Sequence, residues 1–487
     1  MEYLIPFAYF SVLILLLKNW KWMKSPFLNG WSIPLFFTLH TIASLFLFHS
    51  DIAYLGDSPV FLRESKILAS VFYTHPGDYF RLLTGIGENQ EIIYSYLRET
   101  IHWTQQPDNV FNDSKNLMRF NSVLQLFSFG NDYANLILVN FISIIGLNGA
   151  YQAFRAIIRQ HSLFFEGLFF LLPSFILWTS AILKEPYMIL GFGLFLYGWL
   201  EKGENTKQRW GTLLTGVLFL LAIKPYVLLC LIPAVIAKFI YEISTKRKLF
   251  YALGTVLLIA ILGWAATLLL PRNLTFMISK KQHNFLNLTE GGIWILTDSG
   301  MVRVPKTEEH KFTFFIEHSN RYGYLNEPTV GETRRDGEIP REVQLVPDST
   351  KLYIFHLLEP SGSRINITPI NQSHLQLIQN IPQALFNALL RPLPKDPPDK
   401  KEKWYFIFEN IFLYALIAFA LFKNTGKIQE EHKSSILGFT IFILSISLLI
   451  GWITPVIGAI IRYKLPVVIA LIGTGWLLLY KNQVTER

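Results

Sequence analysis

Residues 249–270, LFYALGTVLLIAILGWAATLLL, form an apolar run without a charged side chain. A helix needs about 20 apolar residues to cross the hydrocarbon core of a bilayer, so this run predicts a transmembrane helix. Similar runs recur along the whole chain. The predicted spans are about 2–17, 31–49, 133–152, 163–182, 186–200, 210–223, 225–241, 249–270, 405–422, 434–453 and 464–480. The predicted fold class is a polytopic α-helical membrane protein with about 11 transmembrane helices.

Composition agrees with a membrane protein and argues against a nucleic-acid partner. The 487 residues are 51% hydrophobic and 16% charged, whereas about a quarter of a soluble domain is charged. The net charge is +9, but the lysines and arginines cluster in short loops between apolar runs, as membrane orientation requires. The single cysteine, Cys230, excludes an intrachain disulfide.

Basic residues predict the orientation of the chain. They follow the first, third, fifth, seventh and ninth spans and close the sequence: Lys18, Lys21, Lys24, Arg155, Arg159, Lys202, Lys207, Arg209, Lys246, Arg247, Lys248, Lys423, Lys427, Lys433, Lys481 and Arg487. Strict alternation of eleven spans puts every one of these loops on the cytoplasmic side. We therefore expect the N-terminus outside and the C-terminus in the cytoplasm.

Two long segments are expected outside the membrane. Residues 50–132 contain a predicted amphipathic helix that begins at Ser58-Pro59, with Ser58 as N-cap. Residues 271–403 contain GGIWILTDSGMVRVP (291–305) and KLYIFHLLEP (351–360), whose alternation predicts short strands. The predicted organisation is an N-terminal helix and cytoplasmic loop (1–30), a membrane core (31–270), an extracytoplasmic α/β domain (271–403) and C-terminal membrane helices (404–487).

Ionisable residues occur in the turns predicted to lie at the outer face. Prolines and charges divide the apolar runs at Lys184-Glu185-Pro186 and at Lys224-Pro225, because proline lacks a backbone donor and a buried lysine is costly. Arg462 and Lys464 lie in a third outer turn, and Asp51 and Asp57 lie in DIAYLGDSP after the second span. Such residues are functional candidates by default. The alternative is that the lysines extend to lipid headgroups.

Carboxylates beside several cations at an outer membrane face suit a lipid-linked phosphate sugar. Lysine and arginine stabilise the phosphate charge, and a carboxylate can take the proton of an acceptor hydroxyl. Glycosyl transfer from a polyprenyl phosphate needs both functions, because the departing phosphate gains negative charge in the transition state.

At these residues the sequence resembles a known class of enzymes. The second span followed by GDSPVFLRES (56–65) resembles the start of the integral-membrane glycosyltransferases with the GT-C fold. Four further stretches are similar to patterns of uncharacterised bacterial envelope polysaccharide proteins: LPSFILWTSAILKEP (172–186), AIKPY (222–226), LLRPLP (389–394) and IRYKLP (461–466). The resemblance covers most of the membrane part and implies a GT-C-like core at 31–270, with an additional span before it.

The resemblance implies the catalytic base and the partners, and the ionisable residues of the predicted outer turns supply the phosphate-binding candidates. Asp57 is the expected catalytic base, with Asp51 as the second choice. The residues expected to bind the substrate phosphate are Lys184, Lys224, Arg462 and Lys464, with Glu185, Tyr226, Tyr463 and Arg391 in support. The implied partners are a lipid-linked sugar donor, membrane lipids and a glycan acceptor at a bacterial inner membrane. No cofactor or metal is expected, because no D-D or D-x-D motif follows the second span.

Other functions remain open from the sequence. A polysaccharide polymerase or ligase acting on polyprenyl-pyrophosphate glycans would use the same cations, and a non-catalytic assembly factor would use the outer domain to bind a protein. A transporter is disfavoured because repeated halves are not apparent. Asp57 could also be a turn residue in Gly56-Asp57-Ser58-Pro59. His161, His283 and His310 are interpreted as loop or surface residues. The glycosyltransferase hypothesis predicts that Asp57, Lys184, Glu185, Lys224, Arg462 and Lys464 converge on one cavity open to the outer leaflet.

Overall fold

The computed structural model describes residues 3–50, 56–104, 112–201, 206–269, 273–297, 300–317, 320–334, 341–398, 401–423 and 428–480. The chain divides into two compact units. The first unit comprises the described residues of Met1–Lys248, Phe408–Ile443 and Leu465–Arg487, and the second comprises those of Leu249–Ile407 and Leu444–Lys464. Asp51 lies outside the described residues.

The regular secondary structure in the described part of Met1–Lys248 consists of helices. Its helices are α1 (Leu4–Asn19), α2 (Ser32–His49), α3 (Ser58–Thr74), α4 (Pro76–Thr84), α5 (Gln90–Tyr96), α6 (Ile101–Thr104), α7 (Asp113–Phe127), α8 (Asp132–Ile158), α9 (Leu163–Leu171), α10 (Pro173–Thr179), α11 (Lys184–Leu200), α12 (Thr206–Ile223) and α13 (Pro225–Ile243).

A β-sheet region interrupts the helices in the later half of the chain. Before it come α14 (Lys248–Leu268) and α15 (Leu274–Glu290). The strands are β1 (Gly292–Thr297), β2 (Gly300–Val304), β3 (Phe312–Glu317), β4 (Asn320–Leu325), β5 (Thr329–Arg334), β6 (Glu342–Leu345) and β7 (Leu352–Leu358). After it come α16 (His374–Gln379), α17 (Ile381–Leu390), α18 (Lys403–Lys423), α19 (Glu430–Ile453), α20 (Ile457–Tyr463) and α21 (Leu465–Leu479).

Several helices are long and apolar enough to cross a membrane. Among the described residues, six qualify by length and composition: α2, α8, α13, α14, α18 and α19. The pair α20 and α21, bent by 51°, would make a seventh if it crosses as one broken span. The chain is thus a helical membrane protein with a separate β-sheet region. The count of eleven spans stays a prediction, since α1 and other apolar helices are shorter than a full crossing.

Prolines determine where the apolar runs break. The predicted break at Lys224-Pro225 is confirmed, because α12 ends at Ile223 and α13 begins at Pro225. A further break that we did not predict separates α9 from α10, where Leu172 adopts an extended conformation before Pro173, as residues before proline tend to do. The start of α3 differs from the prediction by one residue: Asp57 takes the N-cap position and Ser58 is the first helical residue.

Glycines allow α8, α11 and α12 to pack backbone against backbone. A Cβ on Gly193 of α11 would lie 1.8 Å from the carbonyl oxygen of Gly146 on α8, and a Cβ on Gly216 of α12 would lie 2.4 Å from the nitrogen of Phe195. Small residues permit such close approach between membrane helices, where apolar burial alone gives little preference for one partner over another. This packing holds α11, whose first residue is Lys184, against α8 and α12.

Replacing Gly193 with leucine should destabilise the first unit. The new side chain would meet backbone that cannot move without separating α8 from α11, so we expect a loss of at least about 1–3 kcal/mol, the usual cost of overpacking. The measurement is the melting temperature and yield of the protein extracted in mild detergent. Gly211→Leu on α12 is the matched control, because nothing lies within 4 Å of a Cβ at that position. Equal stability of the two variants would contradict this account of the packing.

The strands form one antiparallel sheet of seven strands in the order β3-β4-β7-β1-β2-β5-β6. The stretches quoted above for their alternation become the hairpin β1–β2 and the strand β7, so the prediction of short strands is confirmed. The residues of one face build a core: Ile293, Ile295, Val304, Phe312, Leu325 and Ile354. Burial does not alternate along the central strands: residues 292–295 of β1 and residues 302–304 of β2 are all buried, so both faces of these strands are covered.

Candidate functional site

Three charged residues meet where three helices begin in the first unit. Asp113 is the first residue of α7, Lys184 is the first residue of α11, and Lys224 precedes α13. Lys224 has φ −146° and ψ 71°, because the residue before a proline is disfavoured in the helical region. We call Asp113, Lys184 and Lys224 the lysine–aspartate cluster.

One carboxylate oxygen bridges both lysines of the cluster. Oδ2 of Asp113 lies 2.8 Å from Nζ of Lys184 and 3.3 Å from Nζ of Lys224. The lysine side chains are 13% and 8% exposed, whereas the Asp113 side chain is 40% exposed. Burial alone would raise the pKa of the Asp113 carboxyl, but the ammonium groups of Lys224 and Lys184 outweigh burial and hold that pKa well below its usual range. The cluster therefore holds an anion between two largely buried cations.

The depressed pKa of Asp113 predicts how stability depends on pH. Since the folded-state pKa is lower than the unfolded value near 4, the carboxylate stabilises the fold at pH values above 4, and this stabilisation disappears as the pH falls through the folded-state pKa. Asp113→Asn should cost about 1 kcal/mol at pH 7 and at pH 5, because solvent screens a partly exposed pair. Melting temperatures between pH 7 and pH 3 test this. If the difference in melting temperature between the wild type and Asp113→Asn grew on acidification, the result would contradict a lowered pKa of Asp113.

Aromatic rings lie beside both lysines. Nζ of Lys184 is 5.7 Å from the ring centre of Phe61 on α3, and Nζ of Lys224 is 5.8 Å from the ring centre of Tyr226. A ring face attracts a cation electrostatically. These contacts place Tyr226, predicted as a supporting residue, beside Lys224. Glu185, also predicted to support the site, is 1% exposed.

Asp57, the predicted base, lies at the N-cap of α3. Its side chain is exposed and makes no cap hydrogen bond, and its carbonyl oxygen accepts a hydrogen bond from the backbone N–H of Phe61 at 3.0 Å. It is therefore one helical turn from the ring that lies beside Lys184. Its assignment as the base stays a prediction.

The other predicted phosphate-binding residues lie in the second unit. Nζ of Lys464 donates a hydrogen bond to the carbonyl oxygen of Arg391 at 2.8 Å, so two predicted residues meet there. The Arg391 guanidinium pairs with Asp396 and donates to Oδ1 of Asn387 at 2.9 Å.

The neighbouring residues of IRYKLP lie at the end of α20. Arg462 is in the last turn of this helix, and Tyr463 packs edge-on against the Phe285 ring at 6.3 Å. Convergence of these residues with the lysine–aspartate cluster on one cavity stays a prediction.

Sequence reasoning missed several polar residues in α3 to α7, the helices of the segment predicted to lie outside the membrane, which we call the outer helices. Asp113 was not among the predicted residues, although Asn112 before it caps α7: Oδ1 of Asn112 accepts a hydrogen bond from the Lys115 N–H at 2.7 Å. Lys115 and Arg119, four residues apart on α7, both pair with Glu88, and their spacing is a signal that could have been used. Glu64 of α3 was not among the predicted residues either, and it is only 2% exposed.

Comparison with known proteins found no match: neither a protein-family model, nor a curated protein, nor a solved structure matches the chain. Within the described ranges, no group of three or more His, Cys, Asp or Glu side chains is placed to hold a metal ion. The class of protein defined by the fold is that of a helical membrane protein with an inserted β-sheet region.

Proposed function

We propose that this protein is a glycosyltransferase of the GT-C type. It transfers a sugar from a polyprenyl-phosphate donor to a glycan or lipid acceptor of the cell envelope. The observation that carries the proposal is the lysine–aspartate cluster, in which two lysines from separate helix starts hold one carboxylate oxygen at 2.8 Å and 3.3 Å. A site that holds one oxyanion between two cations can bind a different oxyanion in its place. The phosphate of a lipid-linked sugar is such an oxyanion.

The chemistry of the transfer explains why such a site would be needed. When the bond between the sugar and the phosphate breaks, its electron pair stays on the phosphate oxygen, and the negative charge there increases. Cations fixed in advance stabilise that charge in the transition state without any rearrangement at the moment of reaction. In this proposal the substrate phosphate takes the position that the Asp113 carboxylate occupies between Lys184 and Lys224, and Asp113 turns toward solvent, where its side chain is already 40% exposed.

Four further residues stay phosphate-binding candidates on the sequence alone: Arg462 and Lys464, with Arg391 and Tyr463 in support. The hydrogen bond from Lys464 to the Arg391 carbonyl oxygen shows that Lys464 and Arg391 are neighbours. Asp57, with Asp51 as its substitute, is the candidate that the sequence offers for the base that accepts the proton of the acceptor hydroxyl, and a histidine of the outer helices is a second candidate.

We also propose that the site faces away from the cytoplasm of a bacterial inner membrane, with the N-terminus outside. The support is the alternation of basic loops in the sequence. A reporter that is active only in the cytoplasm should work when fused after Arg487 and fail when fused after Lys395. The reverse pattern would remove the outward-facing site and with it the proposed substrate.

The proposal is tested by binding of polyprenyl phosphate to the purified chain. Native mass spectrometry in detergent should show one bound lipid phosphate, and the same polyprenol without its phosphate should not bind. A double variant, Lys184→Gln and Lys224→Gln, should lose the binding. Equal binding of the lipid alcohol, or unchanged binding to the double variant, would refute the phosphate site. Preference for a polyprenyl pyrophosphate would instead favour the polymerase or ligase.

A further inference from the structure

A carboxylate–imidazole pair lies in the outer helices of the first unit. Nδ1 of His102 on α6 is 3.0 Å from Oε2 of Glu64 on α3, and the Glu64 side chain is 2% exposed. Because an ionised carboxylate only accepts hydrogen bonds, it holds the proton on Nδ1 and makes Nε2 the basic nitrogen. The imidazole is 27% exposed, so a ligand can reach it from outside the protein.

The position of Glu64 is fixed independently of the imidazole. Its Oε1 accepts a hydrogen bond from the backbone N–H of Ile101 at 2.7 Å, and its Oε2 lies 3.4 Å from the backbone N–H of His102. The backbone that carries the imidazole is thus bound to the same carboxylate as the ring. A base oriented by a buried third group is the arrangement that activates hydroxyl nucleophiles in many enzymes.

The pair lies beside the lysine–aspartate cluster. The Phe61 ring centre is 5.5 Å from the His102 ring centre and 5.7 Å from Nζ of Lys184. The imidazole and the ammonium therefore contact the same aromatic ring, and they can be no farther apart than the sum of those two distances. All four side chains belong to the first unit.

This upper limit is compatible with one glycosyl-transfer centre. In such a centre, four links connect the lysine to the base. The lysine binds a phosphate oxygen, that oxygen is bonded to the anomeric carbon, a hydroxyl attacks this carbon from near-attack position, and the hydroxyl is hydrogen-bonded to the base. When extended, these links span roughly 10 Å. A base much closer to the lysine would collide with the sugar, and one much farther away could not reach the hydroxyl. The Phe61 ring would lie along the sugar between the two polar groups.

We propose that His102 is the proton acceptor of the transfer reaction and that Glu64 is its positioning residue; the inference rests on the proposed glycosyltransferase function. The acceptor hydroxyl oxygen forms a bond to the anomeric carbon of the donor. The bond from that carbon to the phosphate oxygen breaks, and its electron pair leaves with the polyprenyl phosphate. The hydroxyl proton passes to Nε2 of His102 and then to water. Asp57, one turn from Phe61, does not take this proton.

The test uses His102→Asn together with His102→Ala. The asparagine amide can still donate to Glu64 and keep the local structure, but it has no basic nitrogen. The full-length variants are purified and added to detergent-solubilised membranes of a strain that lacks the protein, and mass spectrometry follows the lipid-linked sugar that accumulates there. Both variants should bind polyprenyl phosphate like the wild type and transfer about a hundredfold more slowly or worse. Added imidazole should restore part of the activity of the alanine variant, which a purely structural role would not predict.

Further variants separate the alternatives. Glu64→Gln should lower kcat by roughly tenfold with little change in KM, since it disturbs the orientation of the base and not the phosphate site. His75→Gln, at the other end of α3, is the control and should leave transfer unchanged. If His102→Asn transferred at the wild-type rate, or if only Asp57→Asn lost activity, His102 would not be the proton acceptor, while the proposed function would stand. If the strain accumulated no lipid-linked sugar and the wild type consumed none, both proposals would fail.

Discussion

Lys184→Gln and Lys224→Gln should each lower glycosyl transfer by about a hundredfold or more, although the protein still inserts into the membrane. The reason is that each substitution removes one of the two cations that face the same anion at 2.8 Å and 3.3 Å. Loss of one preplaced donor to a developing oxyanion typically costs a factor of 10² to 10³ in kcat. The double variant should lose little more than the worse single variant, because residues that act as a unit are not additive. The measurement is the rate of consumption of the lipid-linked sugar by purified variants.

Lys66→Gln is the matched control for these variants. Lys66 also lies in the outer helices and pairs with Asp132 at 2.6 Å, but its side chain is 39% exposed. An exposed pair contributes little, so transfer and stability should stay close to those of the wild type. If Lys66→Gln lost as much activity as the cluster variants, the loss would reflect general surface charge. Wild-type rates in both cluster variants would exclude the cluster from the reaction.

Glu88→Gln should be the most destabilising single substitution in the outer helices. Glu88 is 1% exposed and pairs with Arg119, and with Lys115 at 3.6 Å; those two side chains are 5% and 0% exposed. Removing the charge of Glu88 leaves two buried cations without it, and breaking a buried ion pair in this way typically costs about 3–5 kcal/mol. We expect a clearly lower melting temperature and less folded protein after extraction.

Glu91→Gln provides the comparison for Glu88→Gln. Glu91 lies in the first turn of α5, close in sequence to Glu88, and its side chain is exposed. Its substitution should change stability by less than about 0.5 kcal/mol, as is usual at the surface. If Glu88→Gln and Glu91→Gln had the same melting temperature, Glu88 would not stabilise the buried cations. The stability of the outer helices would then come from apolar packing alone.

Much of the architecture followed from local pattern. The apolar runs predicted membrane helices because length and hydropathy are properties of a continuous segment. The break at Lys224-Pro225 followed from a proline, and the short strands β1 and β2 followed from alternation and turn residues, whereas their pairing is known only from the structure. The break at Leu172-Pro173 was visible in the same way but was not used. For apolar helices of marginal length, such as α1, length and hydropathy do not decide whether the helix crosses the membrane, because that depends on the helices packed against it.

The candidate site could be predicted only in part. Lys184 and Lys224 were found because charge beside an apolar run is unusual in itself. Asp113 was not found, because its two partners are 71 and 111 residues away in sequence, and only the packing of α7, α11 and α13 brings them together. Glu64 and His102 were missed for the same reason: a glutamate among polar residues of an amphipathic helix looks solvent-exposed until α6 covers it.

The most direct test of the central claim is a mass-spectrometric measurement of lipid-linked sugars and surface glycans in cells that lack this protein. The account predicts that a polyprenyl-phosphate sugar accumulates and that one sugar disappears from an envelope glycan or lipid. The wild-type gene should reverse both changes, and the gene carrying Lys184→Gln and Lys224→Gln should reverse neither. Unchanged lipid-linked sugars and unchanged glycans in the deletion strain, or full restoration by the double variant, would contradict the account.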